Sequence, residues 1–117
     1  MQSQNRTNME ITIDDFDKVE FRAGTIIAVD INKRARKPAY KVTIDLGEYG
    51  VKTSSAQLTD LYSAQDLLGR QVICCTNLTP MHIGDVKSEV RIMGLHTEQG
   101  CVLLQPASAV PNGAEVY

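Results

Sequence analysis

Thirteen side chains in this 117-residue sequence carry cations, donors or acceptors that a ligand would read, and their spacing suits binding rather than catalysis. Five of them, Lys33, Arg34, Arg36, Lys37 and Lys41, form a basic run of the kind that meets phosphate or carboxylate groups. Lys52, Ser54, Ser55 and Gln57 follow in one short stretch, offering small donors and acceptors to a backbone, a peptide or a nucleotide. Asn77, Lys87, Ser88 and Arg91 extend the polar set. No Ser-His-Asp or Cys-His set is spaced for nucleophilic chemistry, and no glycine loop of the phosphate-cradling type occurs. His82 and His96 stand alone in loops, and Asp14, Asp15 and Asp17 suit the start of a helix better than a metal site. The three cysteines, two of them adjacent at Cys74 and Cys75, make neither a CxxC nor a zinc spacing. The expectation is a protein that is not an enzyme and uses neither cofactor nor metal.

Each of these groups also has an inert reading. The basic run serves as a solvated loop, and Lys52 as a cross-strand partner for Asp45 worth a few tenths of a kcal/mol. Ser54 and Ser55 serve as small packing residues, and Asn77, Lys87, Ser88 and Arg91 as solvated strand ends. The local field favours the binding reading. Six of the 12 basic residues fall between Lys33 and Lys52, against two acids, Asp45 and Glu48. The net charge of −2 argues against wrapping nucleic acid by bulk electrostatics. Aromatics are 5% of residues with no Trp, and Phe16, Phe21 and Tyr40 read as core, which leaves Tyr49, Tyr62 and Tyr117. Base stacking at about 1–3 kcal/mol per base is therefore thinly supplied, and RNA binding would be led by shape and phosphate.

These groups need a scaffold, and residues 40–57 supply its centre. Tyr40, Val42, Ile44 and Leu46 alternate with Lys41, Thr43 and Asp45, the period of a half-buried strand. A hairpin closing about residues 47–50 sets Leu46 opposite Val51, Ile44 opposite Thr53 and Val42 opposite Ser55. Its other face then pairs Asp45 with Lys52, Thr43 with Ser54 and Lys41 with Ala56, a small polar wall free to meet a ligand. That wall requires Lys52 and Ser54 to point away from the interior.

Upstream, Asp14 is placed to cap a short helical turn over residues 15–19. Residues 20–31 read as a long strand with Phe21, Ala23, Thr25, Ile27, Val29 and Ile31 on one face, bent at Gly24. Downstream, Thr59 caps a helix that Gly69 stops, with a restart at Ser63 dividing it into two short pieces, and residues 71–78 form a central strand. Residues 79–87 read as a loop, 88–95 and 100–105 as the last strands, and 106–117 as turns leading to a short terminal strand or tail. Residues 1–13 are expected as a flexible tail and 14–117 as one domain, with Met9 an alternative start. The class is all-β: a five-stranded Greek-key barrel of the oligonucleotide/oligosaccharide-binding (OB) type, with a short helix between strands 3 and 4 and short terminal extensions. The N-terminus lacks an apolar signal region, and no apolar run approaches the roughly 20 residues of a membrane span. A cytoplasmic protein without membrane insertion, its thiols reduced and mostly buried, is expected.

Six motifs carry a resemblance. DFDKVEFRAGTI (15–26), KTSSAQL (52–58), NLTP (77–80), VKSEVRIMG (86–94), VLLQP (102–106) and VPNGAEV (110–116) resemble the CsaA family. That family is related to the tRNA-binding domain attached to some methionyl- and phenylalanyl-tRNA synthetases. The likeness runs from residue 14 to the end and implies an OB-fold homodimer acting as an export-associated chaperone. Its clients would be unfolded polypeptides or preproteins, with the secretion machinery as a further partner. The tRNA-binding relatives carry Ser-Glu/Arg-Gly-Met where this chain has Ser88-Glu89-Val90-Arg91, so the glycine that permits close backbone approach is missing. This favours the CsaA branch. The alternative is a tRNA-binding protein acting in trans through Lys52, Ser88 and the basic loop.

Overall fold

The structure, a computed structural model, describes residues 9–117. Of the flexible tail expected over residues 1–13, residues 1–8 lie outside them. A short helix, α1 (Ile13–Asp17), opens the described chain. Its cap is Thr12, two residues before the expected Asp14, because the Thr12 hydroxyl accepts from the Asp15 N–H at 3.1 Å. Asp14 and Asp15 then fall in the first turn, where the helix dipole favours negative charge.

Strand β1 (Phe21–Ile31) is the axis of the fold. Ile26 sits opposite Ile44 of the next strand, but Ala28 sits opposite Thr43, so Ile27 is an extra residue in a bulge. The bulge exchanges the two faces. Before it Ile26 points inward; after it Val29 does, while Ala28 and Asp30 turn out, which breaks the uniform alternation expected over residues 20–31. At Gly24 a Cβ would lie 2.5 Å from Ile44 Cγ2 and 2.7 Å from Leu46 Cδ2, so the expected glycine is a packing requirement.

Strands β2 (Tyr40–Asp45) and β3 (Val51–Ala56) form the hairpin. Its register differs by one residue from expectation. A 3-10 turn at Gly47–Tyr49 draws Leu46 off the ladder into the core, its N–H donating to the Gly50 C=O at 2.9 Å. Asp45 therefore faces Val51, and the loop has five residues instead of four. A one-residue slip turns every side chain of β3 over. Val42 faces Ser54 and Ile44 faces Lys52, while Thr43 and Thr53, and Lys41 and Ser55, look outward. Ser54 is 1% exposed, in the dry interior. Lys52 lies on the same inner face, half-buried. The polar wall expected of Lys52, Ser54 and Ala56 does not exist, and no ligand contact can rest on it.

Helix α2 (Ala64–Leu67) starts at Ser63, whose hydroxyl accepts from the Asp66 N–H while Asp66 accepts from the Ser63 N–H. This reciprocal cap outcompetes Thr59. Strand β4 (Gln71–Cys75) is central, between β1 and β7 (Arg91–Ile92). Residues 79–87, expected as a loop, contain a small hairpin of β5 (Met81–Ile83) and β6 (Val86–Ser88) turning at Gly84-Asp85. A second ribbon joins β8 (Gly94–Thr97) to β9 (Gly100–Leu103). The main sheet runs β3-β2-β1-β4-β7, a meander whose fourth strand returns beside the first, which is Greek-key order. It curls into a nearly closed OB-type barrel around Ile26, Ile44, Leu46, Leu67, Val72 and Leu103. The helix between the third and fourth barrel strands is where it was expected.

The chain end returns to β1 as turns and a single antiparallel bridge, Glu115 opposite Arg22, and forms no further strand. The Gly113 N–H donates to the Ala23 C=O at 2.7 Å and the Val116 N–H to the Phe21 C=O at 2.9 Å. Arg22 fastens this return, donating to the Gly113 C=O at 2.8 Å and lying 3.7 Å over the Tyr49 ring. Its hydrogen bond to Glu20, together with one from Thr76, holds the Glu20 carboxyl below its ordinary range. Among the described residues, no helix is long and apolar enough to cross a membrane.

Candidate ligand-binding groove

The site follows from how the barrel closes. Strand β3 meets the segment from the end of β6 into β7 without a regular ladder, and side chains make the seam. Glu89 takes the Thr53 N–H on its carboxylate at 3.0 Å and returns its own N–H to the Thr53 C=O at 2.8 Å. The Ser88 hydroxyl accepts from the Ser55 N–H at 3.0 Å. Beyond this seam β3 runs on toward residues 57–60 while β7 runs into β8, and the two diverge.

Their divergence opens a groove of about 630 Å³. Ser55, Gln57 and Asp60 line one side, and Ile92, Gly94 and His96 line the other. Exposed Leu78 and Met81, with half-buried Ile83, add apolar surface, and Lys37 reaches in from the basic loop. Its charged lining is mixed: Lys37 and Arg91 are set against Asp60 and Glu89. Such a balance does not concentrate a field of one sign.

Of the thirteen candidates, the groove gathers Lys37, Ser55, Gln57, Ser88 and Arg91. Lys33, Arg34, Arg36 and Lys41 remain exposed outside it, and Arg34 lies 3.6 Å from Asp85. Lys87 is exposed on the β5–β6 hairpin opposite His82. Asn77 is committed elsewhere: its carbonyl accepts from the Glu20 N–H at 3.0 Å and its amide donates to the Lys18 C=O at 2.6 Å. That amide pins the chain between α1 and β1, and Asn77 lies outside the groove. Lys52 and Ser54 face inward, as described above.

Two features were not anticipated. Asn32, buried at the foot of the basic loop, donates to the Ile83 C=O at 2.7 Å and to the Ser55 hydroxyl at 3.0 Å. Its carbonyl accepts from the Asp85 N–H at 3.3 Å. One amide thereby ties the loop, the β5–β6 hairpin and β3 together. At Gly84 (φ +59°) a Cβ would lie 2.6 Å from Asn32 Oδ1, so the tip of the hairpin is seated on the loop. The second is the groove surface of Met81, Met93 and His96, which belongs to the expected loop at 79–87, the expected strand at 88–95 and the turn after it.

The putative tRNA-binding domain family model matches residues 21–115. The chain is 32% identical over 92% of its length to the methionine–tRNA ligase of Methanococcoides burtonii, and spans 16% of that relative. Among solved structures, the chaperone CsaA from Bacillus anthracis str. Ames superimposes with a TM-score of 0.87 at 37% identity, over 93% of this chain and 100% of that one. The CsaA chaperone from Picrophilus torridus gives 0.87 at 38% identity, over 92% and 100%.

Proposed function

This chain belongs to the putative tRNA-binding domain family, as a CsaA-like member of it, and on that premise we propose a non-catalytic module that holds extended, unfolded polypeptide in the groove beside the barrel seam. The mixed lining of that groove carries the reading. Apolar Leu78, Met81 and Ile83 offer hydrophobic contact, and charges of both signs suit polypeptides of varied sequence. Methionines at 81 and 93 add a surface that adapts to different side chains. A phosphate backbone would instead seek concentrated positive charge. In this reading the chain acts in the cytoplasm as a homodimer, its clients include export-competent preproteins, and the secretion machinery is a further partner.

One observation favours the second reading, tRNA binding. Among the described residues, no carboxylate lies within ion-pair distance of Lys33, Arg36, Lys37 or Lys41. The two separate when binding of reduced, carboxymethylated α-lactalbumin and of total tRNA is measured at physiological salt. Unfolded protein should bind, and Met81→Glu should weaken it by at least about tenfold, or about 1.4 kcal/mol, with the melting temperature unchanged. Submicromolar tRNA binding without suppression of client aggregation would reverse the order.

A further inference from the structure

Taking the polypeptide-binding reading as its premise, we infer that the groove receives its ligand as an added β-strand, paired backbone to backbone with the free edge of β7 and β8. The hydrogen bonds around Met93 fix which edge is free. The Met93 N–H donates to the Ile73 C=O at 2.8 Å, and the Met93 C=O accepts from the Leu104 N–H at 3.1 Å. Both backbone groups of Met93 are therefore spent toward β4 and β9. In an antiparallel strand the next residue on either side turns its N–H and C=O the opposite way. Ile92, Gly94 and His96 accordingly present theirs to the other edge. Strand β8 pairs only with β9, so this edge carries no strand among the described residues. The same three residues line the groove.

Across the gap, Thr53 and Ser55 turn their backbones toward the seam, where Glu89 and Ser88 take their N–H groups. The groove thus lies between two strand edges that have come apart, and a third strand between them would extend the barrel wall. An unpaired edge is a template for another extended chain. At about 3.3 Å per residue, the edge from Ile92 to His96 matches roughly five residues of ligand. Recognition through the ligand's backbone tolerates many sequences, and a nucleic acid has no matching series of N–H and C=O groups.

The test uses the full chain and a fluorescein-labelled octapeptide, acetyl-Lys-Thr-Leu-Thr-Val-Thr-Leu-Lys-amide, followed by anisotropy. Methylating every backbone nitrogen of the peptide removes its donors and should weaken binding by at least about tenfold, whereas a scrambled sequence with free amides should stay within about threefold. His96→Pro removes an N–H that faces the groove, at a position where an edge strand tolerates proline. It should keep the melting temperature and lose the peptide by at least about tenfold. His96→Ala, which keeps that N–H and should bind as the native chain does, accounts for the imidazole that the proline variant also loses. Should the proline variant fail to fold, the methylated and parent peptides on the unaltered chain decide the matter. Equal affinity of those two overturns strand addition while leaving polypeptide binding intact. Absence of binding by both octapeptide and unfolded α-lactalbumin removes the underlying reading as well. A dimer that His96→Pro converts to monomer would assign the edge to a second copy of the chain and overturn the inference.

Discussion

The proton on Cys74 reports how dry the barrel is. Burial pushes this thiol from an ordinary 9.0 up to about 12, with neighbouring Cys75 adding to the effect. The folded state holds a proton that the unfolded chain releases between those values. The Cys74 contribution to stability is therefore complete below about pH 9, falls as pH rises toward 12, and amounts to about 4 kcal/mol at most. Melting curves from pH 8 to 11 should show a steeper decline for the native chain than for Cys74→Val. At pH 8 a thiol reagent should modify the partly exposed Cys101 first and reach Cys74 only on unfolding. Reaction of Cys74 in the folded protein would mean that the interior admits water. Buried, reduced thiols were legible because two adjacent cysteines in an apolar run cannot pair with each other. Asn32 was not: its three partners lie 23 to 53 residues away, and one asparagine before a basic loop gives no sign of them.

At the level of elements, the seam between β3 and β7 is the most exposed to substitution, because side chains do what a ladder does elsewhere. Glu89→Ala strips the carboxylate from the Thr53 N–H and hydroxyl. Leaving that donor unsatisfied costs about 1–3 kcal/mol. At 4–8 °C per kcal/mol, the melting temperature should fall by roughly 5–20 °C. Glu89→Gln keeps an accepting oxygen and should lose much less. Hydrogen exchange should quicken at Thr53 and Ser55 while the β1–β2 amides hold. Unchanged melting in Glu89→Ala would mean that the Glu89 N–H to Thr53 C=O bond and the Ser88 hydroxyl on the Ser55 N–H close the barrel without the carboxylate. The strands and the connecting helix were legible because alternation, caps and glycines are local signals. The hairpin register was not, because no local signal says whether Leu46 continues the strand or folds under a 3-10 turn. That one decision placed Ser54 inside and Ser55 outside. The bulge at Ile27 is equally silent in the sequence, since both faces of β1 are rich in apolar residues. Five of the thirteen candidates reached the groove largely because they follow β3 and the seam, whose place in the barrel was read correctly even where the facing was not.

The molecule as a whole carries more uncovered apolar surface than a small solitary barrel needs. Helix α1 buries none of its residues, and Ile11, Ile13, Phe16 and Val19 around it are 45–69% exposed. On the β8–β9 ribbon, Leu95 and Val102 face each other across the strands and are exposed, as is the adjoining Leu104. A five-residue helix is not stable on its own, so α1 gains by being covered. Cover by a second copy fits the homodimer proposed above, since a twofold contact buries the same patch on both partners. A stable dimer would remove about 1,200–2,000 Å² from water. Size-exclusion chromatography with light scattering at micromolar concentration should give twice the mass of the chain, and Phe16→Glu should shift it toward monomer without unfolding the barrel. The same variant separates two designs. If monomeric Phe16→Glu still binds the octapeptide, each barrel carries a complete groove and dimerisation adds only a second one. If peptide binding falls together with the dimer, part of the groove wall comes from the partner. A native chain that is monomeric at that concentration would leave the apolar face of α1 to another kind of partner.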